Sequence, residues 1–203
     1  MTKIKFCGMM RPADIAAANA LRPDYIGFVF APKSRRAVTP EQAAALKADL
    51  LPAIRAVGVF VNAPPEQVAA LLAVGTIDIA QLHGQEDEAY LQVLRTLTGK
   101  PVIKAFRVDS AADLQRAAAF PSGGLLLDSG AGGTGTTFDW TLLRDFTRPY
   151  FLAGGLNAEN IGAAIQKYHP YAVDVSSGIE TNGKKDAKKM AAFAAAVRKE
   201  ENA

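Results

Sequence analysis

The chain has 203 residues, a net charge of +3, 49% hydrophobic and 21% charged residues, and one cysteine. That length supports a sizeable core, the small charge makes no case for nucleic-acid or membrane partners, and a lone cysteine excludes an intramolecular disulfide and a multi-cysteine zinc site. No stretch approaches the roughly 20 apolar residues of a membrane span, and no signal peptide is visible behind Met1-Thr2-Lys3-Ile4. One domain over residues 1–203, in the reducing cytoplasm, is expected.

The chain opens on Lys3-Ile4-Lys5-Phe6-Cys7-Gly8, which reads as a short strand. Side chains alternate in a strand, so Lys3, Lys5 and Cys7 share one face, and Ile4 and Phe6 the other. A thiol beside an ammonium group is suited to chemistry, because positive charge favours the reactive thiolate. The competing reading is a buried cysteine acting as a small apolar residue.

A helical run follows from Arg11-Pro12 to about Leu21, its proline in the first turn. Asp24 to Phe30 is a buried strand. A basic loop, Ala31 to Val38, leads to a helix capped by Thr39 with Pro40 as first helical residue. The alternation then continues: strand Arg55 to Val61, helix Pro65 to Ala73, strand Ile77 to Leu82, helix Glu86 to Leu97, strand Pro101 to Phe106, helix Ala111 to Ala119, strand Gly124 to Asp128. A glycine-rich loop, Ser129 to Thr137, precedes a short helix near Asp139 to Asp145. Strand Tyr150 to Ala153, helix Ala158 to Lys167 after an Asn157 cap, strand Tyr171 to Val175 and helix Lys185 to Lys199 complete the chain. Strict alternation implies a parallel sheet covered by helices. An open doubly wound sheet competes, but eight nearly equal units suit a closed (β/α)8 TIM barrel better.

In such a barrel, function collects at the C-terminal ends of the strands. Those ends carry Cys7, the Ser34-Arg35-Arg36 loop, Gln81-Leu82-His83-Gly84, Asp128-Ser129, Gly154-Gly155 and Ser176-Ser177-Gly178. Gly154, Gly155, Ser177 and Gly178 together fit a phosphate cradle, since glycines let backbone N–H groups approach an anion and a helix N-terminus adds a favourable dipole; Gly154-Gly155 alone reads equally as a tight turn. The loop bearing Gly133 and Gly135 lacks a P-loop ending and fits a lid or part of the cradle. Asp128, a carboxyl group at the mouth of an apolar barrel, fits a proton donor or a cap or salt bridge. Arg36 fits a bidentate contact to a carboxylate or a solvated basic loop. His83 reads equally as a substrate contact or a satisfied structural histidine. Asp174 could pair with Lys5 across the barrel. The two histidines, His83 and His169, have no second ligand at a recognisable spacing, so no metal site is read.

These motifs, in this order, resemble phosphoribosylanthranilate isomerase, a family of tryptophan biosynthesis. The resemblance rests on Lys5-Phe6-Cys7-Gly8, Gly27-Phe28-Val29-Phe30 with Lys33-Ser34-Arg35-Arg36, Val57 to Asn62, Gln81-Leu82-His83-Gly84, Leu127-Asp128-Ser129 with Gly132-Gly133-Thr134-Gly135, Ala153-Gly154-Gly155-Leu156, and Asp174 to Glu180. Met9-Met10 departs from the family pattern, which has a polar residue there. The resemblance implies a (β/α)8 barrel that needs no metal or organic cofactor and acts on a small phosphorylated substrate; the sequence leaves monomer and homodimer both open. It implies Cys7 as general base, Asp128 as general acid and Arg36 on the anthranilate carboxylate. Lys5 would help hold the thiolate, and the rims of strands 7 and 8, with Gly154, Gly155, Ser177 and Gly178, would hold the phosphate; His83, Gly133 and Gly135 stand as candidate substrate contacts, with their alternatives open. Two other readings compete: a related sugar-phosphate isomerase of histidine biosynthesis, which usually pairs two aspartates, and a non-catalytic phosphometabolite-binding barrel.

Overall fold

The structure is a computed structural model and describes residues 1–129 and 139–200. Eight parallel strands close into a barrel in chain order. They are β1 (Lys3–Cys7), β2 (Tyr25–Val29), β3 (Arg55–Phe60), β4 (Ile79–Leu82), β5 (Val102–Arg107), β6 (Gly124–Asp128), β7 (Phe151–Ala153) and β8 (Ala172–Val175). The barrel closes where β8 lies beside β1, with Lys5 opposite Asp174 and Phe6 opposite Val175. The helices are α1 (Pro12–Leu21), α2 (Pro40–Ala48), α3 (Pro65–Ala73), α4 (Glu88–Leu97), α5 (Ala111–Ala119), α6 (Ile161–Tyr168) and α7 (Ala187–Lys199). No described helix is long and apolar enough to cross a membrane.

The alternation read from the first strand decides what lies inside. Ile4 and Phe6 point outward into the layer between sheet and helices, where Phe6 meets Phe193 of α7 with ring centroids 6.4 Å apart. Each such fully buried side chain contributes about 1.5–3 kcal/mol. Inside the barrel, Tyr25, Val57, Ile79, Ile103, Leu126 and Phe151 fill one apolar cluster, and Cys7, Val29 and Val59 form another. Gly27, opposite Cys7 in the register, makes room for the thiol: a Cβ there would lie 2.8 Å from Sγ.

The Thr39 cap is present, and Gln42 completes a capping box with it. Between β6 and β7 the expected short helix is the 3-10 helix Trp140–Asp145, started by the Asp139 side chain accepting from the Thr141 N–H. The structure departs from expectation at three places. Asn157 caps a turn before α6, because its side chain accepts from the N–H groups of Glu159 and Asn160; the helix itself begins at Ile161. Glu86 lies before α4, whose cap is Asp87, and is buried against Lys104 instead. The last helix starts at Ala187, after a hairpin of β9 (Glu180–Thr181) and β10 (Lys184–Lys185) absent from the sequence reading.

Candidate active site

Cys7, Arg36, His83, Asp128, Gly154, Gly155 and Ser177 line one cavity at the C-terminal ends of the strands. Each is delivered by a different part of the rim. Cys7 ends β1, His83 follows β4, Asp128 ends β6, Gly154 and Gly155 follow β7, and Ser177 and Gly178 begin the 3-10 turn after β8. Gly133 and Gly135 lie outside the described residues.

Lys5 is fully buried, and its ammonium group donates to both oxygens of Asp174 at 2.9 Å. The cross-barrel pairing read from the sequence is therefore present. Burial alone would lower the Lys5 pKa, but Asp174, with a smaller contribution from Cys7, carries it above the ordinary range. Cys7 shows the opposite balance. Burial pushes the thiol up and outweighs the lowering by Lys5; Asp174 adds to the rise, and Lys185 opposes it. Lys5 acts on the thiol in the expected direction without prevailing, because burial penalises the thiolate more and Asp174 adds to that penalty.

Arg36 makes a fork with Glu180: Nε donates to Oε1 at 2.7 Å and Nη2 to Oε2 at 2.8 Å. The guanidinium carries five N–H donors and this pair occupies two. Lys185 is the partner that sequence reasoning missed, since it was placed in the last helix. Its Nζ donates to Glu180 Oε1 at 2.6 Å and to the Ser176 carbonyl at 2.9 Å. Ser176 Oγ in turn donates to the Cys7 carbonyl at 3.1 Å, tying the β8 rim to the thiol strand. Burial would raise the Glu180 carboxyl, but hydrogen bonds from Arg36 and Lys185 hold it at about 2. A depressed carboxylate adds stability above its ordinary value of 4.5, and loses it as pH falls toward about 2.

His83 resolves into a partnered residue: Nδ1 lies 3.0 Å from Gln81 Nε2, and Nε2 lies 3.3 Å from Asp128 Oδ2. Asp128 itself is 8% exposed, at the edge of the cavity. Gly154 is fitted against it. Its φ is +87°, and an added Cβ would lie 2.7 Å from Asp128 Oδ1 as well as against the Ser129 side chain and backbone. Gly154→Ala should therefore disturb Asp128 and lower turnover at least tenfold, more than its thermal destabilisation explains; steady-state rates beside a melting curve would check this.

The thiol balance gives a direct prediction. Alkylation of the chain's one cysteine by iodoacetamide, followed against pH, should show a midpoint above the ordinary 9.0. Lys185→Met removes a nearby positive charge and should move that midpoint further up. A midpoint at or below 9.0, or a downward move, would contradict this electrostatic account.

The barrel and its rim define the class: a (β/α)8 protein whose cavity holds a thiol, a carboxyl group and side-chain-free backbone together. Residues 4–196 match the family model described as N-(5'phosphoribosyl)anthranilate (PRA) isomerase. The chain is 46% identical, over 97% of its length and 95% of the relative's, to the N-(5'-phosphoribosyl)anthranilate isomerase of Magnetococcus marinus. A crystal structure of phosphoribosyl anthranilate isomerase in complex with reduced 1-(o-carboxyphenylamino)-1-deoxyribulose 5-phosphate superimposes with a TM-score of 0.88, at 36% identity over 98% of this chain and 100% of that one. Monomers generated from the dimeric Thermotoga maritima phosphoribosylanthranilate isomerase superimpose with a TM-score of 0.87, at 36% identity over 98% and 100%. The chain belongs to the N-(5'-phosphoribosyl)anthranilate isomerase family.

Proposed function

We propose that this protein converts N-(5'-phosphoribosyl)anthranilate into 1-(o-carboxyphenylamino)-1-deoxyribulose 5-phosphate, a step of tryptophan biosynthesis, by acid/base catalysis with Asp128 and Cys7. The observation that carries the reading is the convergence of Cys7 and Asp128 on one cavity rimmed by Gly154, Gly155 and Ser177. Family membership supplies the substrate.

Asp128, protonated, gives its proton to the furanose ring oxygen. The bond from that oxygen to C1′ breaks with its electron pair on oxygen, and the nitrogen lone pair forms the C=N bond of an iminium ion. Cys7 then removes the proton from C2′. The C–H pair becomes the C1′=C2′ double bond, the nitrogen recovers its lone pair, and the resulting enol settles as the ketone. The glycine and serine rim anchors the phosphate. Arg36 meets the anthranilate carboxylate with guanidinium donors beyond the two held by Glu180. Anchoring both ends of the substrate places C2′ between acid and base. Lys5 and Lys185 favour the thiolate as the base is needed. The substrate is a small phosphorylated molecule. A cytoplasmic setting without nucleic-acid or membrane partners fits the modest charge of +3, and action as monomer or homodimer fits the relative from Thermotoga maritima, described as dimeric and obtained as monomers.

The test generates the labile substrate in the same tube from anthranilate and phosphoribosyl pyrophosphate with a partner transferase. Protein-dependent loss of substrate fluorescence is expected, and its reduction in Cys7→Ser. No loss with folded protein would overturn the reading.

A further inference from the structure

Gln81 stands inside the barrel on β4, 1% exposed, and lines the same cavity as Cys7 and Asp128. Its Nε2 is 3.0 Å from His83 Nδ1, while its Oε1 is buried with no hydrogen-bond partner among the described residues. A buried carbonyl without a partner is costly, and an apolar side chain would fill the space without that cost. The row continues from His83 Nε2 to Asp128 Oδ2 at 3.3 Å. Amide, imidazole and carboxyl group thus form one line that ends on the proposed acid.

A neutral imidazole has one N–H and one lone pair, and an amide nitrogen only donates. With the Gln81 N–H turned to Nδ1, that ring nitrogen must accept, so Nε2 carries the proton. The Nε2–H side of the ring then lies 3.3 Å from Asp128 Oδ2, a charge contact rather than an aligned hydrogen bond. A hydrogen on that oxygen would point at the ring N–H, so a proton on Asp128 is better placed on Oδ1, the oxygen on the Gly154 side of the rim. We propose that Gln81 is a positioning residue: it sets the tautomer of His83, and thereby reserves Asp128 Oδ1 for proton delivery while His83 steadies the carboxylate left behind. The inference rests on the reading of Asp128 as general acid. The opposite tautomer would turn a bare Nε2 toward Asp128 and hold its proton in an internal hydrogen bond, away from substrate.

The test replaces a donor by an acceptor of nearly the same shape. In Gln81→Glu the carboxylate can only accept from Nδ1–H, and Gln81→Met has no polar group. Long-range 15N–1H correlation spectra of histidine-labelled protein in alkaline buffer report the tautomer, the His83 signal being identified by its loss in His83→Asn. The wild type should show Nε2–H. Gln81→Glu should show Nδ1–H or a doubly protonated ring, and Gln81→Met a mixture. Turnover should fall by about 10- to 100-fold in Gln81→Glu, part of the general-acid contribution, with KM changed far less. An Nδ1–H tautomer in the wild type overturns the proposal. So do variants that keep both the wild-type tautomer and the wild-type kcat. If the glutamate variant does not fold, the methionine variant decides by the same two readouts. A wild type without isomerase activity would defeat the functional reading instead, and the spectra would still judge Gln81.

Discussion

Asp128→Asn should lower turnover by about 10²- to 10⁴-fold, the usual range for a positioned general acid, and leave the melting temperature within a few degrees of wild type. Asparagine matches the shape and can still turn its oxygen to His83, but it has no acidic proton to give. The comparison that sharpens this is Asp174→Asn. Asp174 lines the same cavity, yet both its oxygens are bound by the Lys5 ammonium. Its substitution should cost stability first, because it leaves a buried cation half paired. One carboxyl group of the rim would then report in kcat and the other in the melting curve. Cys7→Ser should join Asp128→Asn on the kinetic side, since a hydroxyl is a far poorer source of the basic anion than a thiol. Near-normal turnover in Asp128→Asn would remove it from the chemistry and leave its contact with His83 as its role.

What the sequence showed and hid follows from how far each signal reaches. Cys7, Lys5 and Asp174 were legible because strand alternation fixes the face and barrel closure sets β8 beside β1. The eight strands were legible because apolar runs ended at turn residues, with errors of one or two residues at their ends. The hairpin of β9 and β10 was not legible, since two-residue strands carry no period, and its loss hid Lys185 inside a supposed helix. Glu86 was misplaced for a related reason: glutamate favours a first helical turn, but here a buried Lys104 claims it at 2.9 Å. Glu180 stood in a quoted motif, but only the fold brings it to Arg36, 144 positions away in sequence. Gln81 stood in the quoted strand-end motif Gln81-Leu82-His83-Gly84 without a role of its own, because that role depends on one nitrogen 3.0 Å from a ring.

Lys5→Met should be among the most destabilising single changes in the barrel. The side chain is fully buried, and the substitution leaves Asp174 as an unpaired carboxylate that is 8% exposed. Breaking a buried ion pair from one side costs about 3–5 kcal/mol. At about 2–4 °C per kcal/mol for a chain of this size, the melting temperature should drop by roughly 10 °C. The pair forms a linkage with a definite sign. Lys5 is held above its ordinary 10.5, so its contribution is complete at neutral pH, and is lost only as pH rises past 10.5 toward the folded value. The wild-type advantage over Lys5→Met should therefore be flat across the neutral range and shrink in strong alkali. The variant also removes a charge that lowers the Cys7 thiol while keeping the Asp174 charge that raises it, so the alkylation midpoint should move up. Lys5→Met/Asp174→Leu separates the two consequences. Replacing the whole pair by apolar groups of similar volume is often neutral for stability, so the double variant should regain most of the lost melting temperature. It should also regain part of the thiol shift, because the charges removed act on Cys7 with opposite signs. A double variant as unstable as the single one would mean that Lys5 supports the barrel through its packed stem rather than through its charge.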